Sequence, residues 1–87
     1  MKYRKKPVEI EAFQFTGEND WPLWASLAFS SGVLSIVTNG YQTGKLAVKT
    51  LEGFMYADLN DWIIKGIKDE LYPCEPDIFE MTYEKAD

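Results

Sequence analysis

Apolar and polar positions along this chain change period several times, and each change marks an element. PVEIEAFQFT (Pro7 to Thr16) alternates like a strand, with Val8, Ile10 and Ala12 on one side and Glu9 and Glu11 on the other. The alternation then slips, because Phe13 and Phe15 fall on the glutamate side. Either a bulge resets the phase, or the second half is buried on both faces. In both cases the two phenylalanines are expected in the core.

GENDWPLWASLAFSSG follows and reads as a helix over about residues 20–31. Asn19 or Asp20 is the expected N-cap, and Pro22 fits the first turn, where its missing N–H costs nothing. Leu23, Trp24, Leu27 and Ala28 form the expected inward stripe, Trp21 packs beside the cap, and Gly32 is the expected residue past the end. VLSIVT (33–38), KLAVKT (45–50), FMYADL (54–59), WIIKGI (62–67) and ELYPC (70–74) read as strands. Asn39-Gly40 stops the first of these. Leu51-Glu52-Gly53 reads as a hairpin turn with glycine at a left-handed position, and a second turn falls at Lys68-Asp69-Glu70. Asp77 with Glu80 three residues on has capping-box spacing, so a short C-terminal helix is expected, with Ile78, Phe79 and Tyr83 toward the sheet.

The predicted fold is therefore α+β. It has one mostly antiparallel sheet of five to six strands, one helix in the N-terminal half and a short helix at the end, in a single domain over 1–87. No linker, repeat or low-complexity segment interrupts it.

Composition sharpens this picture. Hydrophobic residues make up 46% of the chain and aromatic residues 15%, values of a folded protein rather than a disordered one. No apolar run is long enough to span a bilayer, and the basic start MKYRKK has no apolar stretch behind it, so neither a membrane segment nor a secretory leader is expected. One cysteine cannot make an internal disulfide, which suits a reducing cytoplasm. Charge is unevenly placed: Lys2, Arg4, Lys5 and Lys6 precede Pro7, and from Pro7 onward 14 acids face five bases. Such a body repels phosphates, so nucleic acid is not an expected partner.

The residue types also restrict chemistry. There is no histidine, which removes the commonest general base, the nucleophile pairs that depend on it and histidine-containing zinc sites. Cys74 has Glu75 and Asp77 beside it, which hold a thiol protonated. Thr43-Gly44-Lys45 is only a fragment of a phosphate loop, Asp58 and Asp61 read as turn chemistry, and no calcium-loop spacing occurs. No enzyme activity, metal or cofactor is expected. Trp21, Tyr41, Tyr56, Trp62 and Tyr72 are of the types enriched in interface anchors and form the candidate contact surface. Lys45, Lys49, Lys65 and Lys68 are the candidate anion contacts.

MKYRKKPVEIEAFQF (1–15) and TLEGFM with NDWIIKGIKDELYPCEPDIFEMTYE (50–55 and 60–84) resemble a large group of small proteins encoded by tailed phages and prophages of bacteria. Thr16 to Lys49 carries no signature of that group. Its members have glycine where this chain has Asn60 and Asp69. Asparagine and aspartate tolerate left-handed backbone best after glycine, so these positions are expected to specify backbone shape. The resemblance implies a binding protein in the cytoplasm of the bacterial host that engages a host protein, for host takeover or defence inhibition. Sequestration of a small anionic nucleotide or metabolite is the alternative, followed by a structural or virion-associated role. Self-association is compatible with either.

Overall fold

The computed structural model describes residues 1–18 and 20–86. In chain order the elements are β1 (Glu11–Gln14), α1 (Leu23–Ser31), β2 (Leu34–Ile36), β3 (Leu46–Thr50), β4 (Gly53–Ala57), β5 (Trp62–Lys65), β6 (Leu71–Cys74) and α2 (Pro76–Thr82). The class is α+β, but the six strands form two three-stranded antiparallel sheets, ordered β1-β5-β6 and β2-β3-β4, rather than one. Strand β6 lies beside the second sheet without pairing to it. Pro73 removes an N–H from β6, and Pro76 opens a helix after Cys74, so the strand is confined to an edge.

The first strand is shorter than its alternation suggests. Pairing with β5 begins at Glu11↔Lys65, and the partner then leaves at the Gly66 turn, so Pro7 to Ile10 have nothing to pair with. At the other end the ladder continues past the strand: the Phe15 N–H donates to the Asp61 carbonyl at 2.8 Å, and the Asn60 N–H to the Phe15 carbonyl at 2.6 Å. Within β1 the register is unbroken, but just past it Asn60, at φ 78°, and Asp61 both face Phe15, a G1 bulge on the β5 side that leaves the phase of β1 itself unchanged. Phe13 and Phe15 enter the central core, while Ala12 lies opposite buried Ile64 on the other face. The core face is thus the phenylalanine side, and Val8 is exposed.

One core joins both sheets and α1. Phe13, Phe15, Ile63 and Leu71 come from the first sheet side, Leu34, Leu46, Val48 and Ala57 from the second, and Ala25 from the helix. Trp21, Trp24, Ala28 and Phe29 pack around it, with Trp21 stacked on Phe29 at 4.1 Å between ring centroids.

Helix α1 starts later than the sequence suggests. Pro22, at ψ 160°, is the N-cap rather than part of the first turn, and its carbonyl accepts the N–H groups of Ala25 and Ser26. Asp20 is therefore not the cap, and Asn19 lies outside the described residues. The end is as expected. Gly32 adopts φ 86° and the Val33 N–H reaches the Ala28 carbonyl at 2.9 Å, a Schellman closure. The buried stripe differs: Leu23 and Leu27 are exposed, whereas Ala25 is buried and Trp24, Ala28 and Phe29 are half-buried. LWASLAF is apolar all round, so periodicity does not single out its inner face.

Helix α2 covers the outer face of the first sheet. Phe79 stacks on Trp62 at 4.1 Å with the rings 4° from parallel, and Tyr83 lies 5.1 Å from Phe79. Glu75, not Asp77, is the N-cap, because Pro76 with its fixed φ takes the first helical position. That two-residue shift leaves Ile78 exposed instead of facing the sheet.

Candidate functional site

Strand β4 is the edge of its sheet and carries three consecutive exposed apolar side chains, Phe54, Met55 and Tyr56. The Leu51-Glu52 turn positions it. Thr50 Oγ1 accepts the Glu52 N–H at 3.2 Å and donates to the Gly53 carbonyl at 2.7 Å, and Gly53 supplies φ 112°. Register Lys49↔Phe54 and Ala47↔Tyr56 places both rings on the outer face of the sheet, beside Lys49. Met55 lies across from Val48 on the core face, but at the edge it stays partly in water. Unpaired apolar edges are ready templates for another chain, and natural proteins usually blunt them.

Beside this edge runs a groove of about 450 Å³ lined by Met55, Tyr56, Asp58, Asp61, Pro73, Cys74, Glu75, Pro76 and Asp77. It forms where the β4 side and β6 approach without pairing, so its walls come from two separate stretches, Met55 to Asp61 and Pro73 to Asp77. Two of its four acids are fixed by local bonds. Asp61 Oδ2 accepts the Asp58 N–H at 2.9 Å, and Asp58 pairs with Lys45 at 3.3 Å. Among the described residues, Asp61, Glu75 and Asp77 have no ion-pair partner. Cys74 sits among them, its thiol pushed above the ordinary range by burial first and then by Asp61, Glu75 and Asp77. Such a groove attracts cations and N–H donors and repels anions.

The candidate contact residues do not converge. Tyr41 projects from the turn after β2 and Tyr56 belongs to the groove, but Trp21 packs on the core and Trp62 lies under Phe79. Tyr72 is half-buried next to Tyr83. Burial first, then that second phenol, pushes its hydroxyl up to about 12. Phe54 and Met55, which sequence reasoning did not select, are both more exposed than Tyr56 beside them; the adjacent run Phe54-Met55-Tyr56 on a short strand was the available signal.

The candidate anion contacts are also dispersed. Lys45 is held by Asp58, Lys49 stands on the outer face of the second sheet, and Lys68 is exposed in the β5–β6 turn. Lys65 lies 5.9 Å from the Trp24 ring centroid, the one of the four that meets an aromatic face. Glu11 and Asp69 each stand 3.6 Å from its ammonium, and the adjacent cavity of about 330 Å³ adds Glu9. No group of three or more Cys, Asp or Glu among the described residues is placed to hold a metal ion. No helix among them is long and apolar enough to cross a membrane.

No family model, curated protein or solved structure matches the chain.

Proposed function

We propose that this protein is a non-enzymatic binding module of phage or prophage origin that engages a host protein in the bacterial cytoplasm, for host takeover or defence inhibition. The observation that carries the reading is the unpaired β4 edge with Phe54, Met55 and Tyr56 exposed beside a groove in which Asp61, Glu75 and Asp77 have no ion-pair partner among the described residues. An edge offers main-chain hydrogen bonds to an extended segment, exposed rings supply anchors, and the acids select for basic flanks. The favoured partner surface is therefore an extended, basic segment. Charge on the groove rim mainly sets association rate and salt dependence, while the apolar edge sets residence time.

Sequestration of a small anion is the second reading, and Lys65 over Trp24 favours it. The carboxylates of Glu9, Glu11 and Asp69 around that lysine weigh against it, because they offset the one positive charge an anion would need.

The test is affinity capture from infected or lysogenic cells with three baits. The wild-type chain retains a discrete host protein. A Phe54→Ser/Tyr56→Ser variant loses it, and a Leu23→Ser/Leu27→Ser control on the exposed side of α1 keeps it. Capture that survives the β4 variant and fails with the α1 control moves the site elsewhere.

A further inference from the structure

The first six residues, MKYRKK, form no strand or helix and are all exposed. They hold four of the chain's nine basic residues. Lys2, Arg4, Lys5 and Lys6 make no ion pair among the described residues, although 14 acids occupy the rest of the chain. The nearest aromatic contact is Lys5, 5.8 Å from the Tyr83 ring centroid, at the opposite end of α2 from the groove. This chain therefore carries both an unpaired acidic, aromatic edge and an unpaired basic arm.

We propose that the arm Met1–Lys6 of one copy docks along the β4 edge and adjoining groove of a second copy. The occupant follows from charge and length. Extended, six residues span about 20 Å, against about 17 Å for the five residues of β4. Alternation then turns Lys2, Arg4 and Lys6 to one side and Met1, Tyr3 and Lys5 to the other. The first set meets Asp61, Glu75 and Asp77, and Met1 and Tyr3 lie against Phe54 and Tyr56 on the outer face. Each copy has one arm and one edge, so two copies can exchange arms reciprocally and close as a two-fold dimer. The arm does not require a host partner. It occupies the surface assigned above to one, so dimerisation and partner binding compete.

The test is sedimentation of the full chain as a function of concentration and salt. Wild type is expected to dimerise at low ionic strength, with affinity falling at least tenfold between 20 mM and 500 mM salt. An arm reversal, Lys2→Glu/Arg4→Glu/Lys6→Glu, touches only exposed residues and is expected to be monomeric. A groove reversal, Glu75→Lys/Asp77→Lys, is expected to be monomeric too. Mixing the two variants restores complementary pairs and the dimer. A wild type that stays monomeric at low salt overturns the proposal. So does a dimer indifferent to arm reversal, or an arm-dependent change in a chain that remains a monomer, which would place the arm on its own groove. Host-protein capture by a strictly monomeric chain would overturn this inference and leave the proposed function standing.

Discussion

Replacing Ile63 by alanine removes three carbons from a side chain with no accessible surface, in the cluster that joins both sheets to α1. The transfer term alone is about 2.4 kcal/mol, at about 0.8 kcal/mol per carbon. Ile63 stands in the middle strand of its sheet, so the site cannot collapse freely, and a cavity term brings the cost to about 3–4 kcal/mol. A domain of this length has total stability on the order of 4–13 kcal/mol, so the loss is a large fraction of it. Taking about 2.1 cal/mol/K per residue for the unfolding entropy, Tm falls by about 16–22 °C. Chemical and thermal denaturation followed by both tryptophan fluorescence and far-UV circular dichroism measures it. The two probes are expected to coincide, since one core serves both sheets. A cost below about 1 kcal/mol, or separate transitions for the two probes, would refute the shared core.

Other perturbations probe the turns and the titrating groups. Asn60 and Asp69 have φ of 78° and 63°. Glycine at either is therefore expected to be neutral or stabilising, and valine to cost about 1–2 kcal/mol in a denaturant titration; equal effects of glycine and valine would show that left-handed backbone is not the constraint. Tyr72, with its hydroxyl raised to about 12, should contribute a late component to absorbance at 295 nm that Tyr72→Phe removes. Because the folded value lies above the unfolded 10.0, its contribution is fully present below pH 10 and lost as pH rises toward 12. Absence of a late component counts against the Tyr72–Tyr83 packing. Cys74 should react with a disulfide reagent more slowly than a free thiol at pH 8, and faster after Glu75→Gln/Asp77→Asn. An unchanged rate would mean that those carboxylates do not reach the thiol's field.

Local features were legible in the sequence because they depend on neighbours in the chain. Gly32 ends α1, Gly53 turns the β3–β4 hairpin, and Asn60 and Asp69 hold left-handed backbone as their residue types suggest. Phe13 and Phe15 are core, as the slip in the alternation indicated on either of its readings. What was not legible depends on distant pieces. The alternation of Val8, Ile10 and Ala12 continues beyond the point where β5 turns away at Gly66, so a strand-like pattern has no ladder. Leu23 and Leu27 look as apolar as the buried side of α1, and only the placement of the sheets decides which side is covered. The candidate site fails to appear in the sequence for the same reason. Met55 and Tyr56 meet Glu75 and Asp77 only because β6 of one sheet packs against the other sheet without joining it. Ranking aromatics by type selected Trp21 and Trp62, whose rings serve packing, and passed over Phe54, whose exposure follows from an edge that no other strand covers.

The central claim is that β4 and its groove are where this protein meets other protein chains. Site-specific photocrosslinking in bacterial cells tests it most directly, with a benzoylphenylalanine placed at position 54 and, as control, at position 23. The account predicts discrete crosslinked products from position 54, either a host protein or a second copy through its basic arm, and little from position 23. Crosslinks from position 23 with none from position 54 would contradict it.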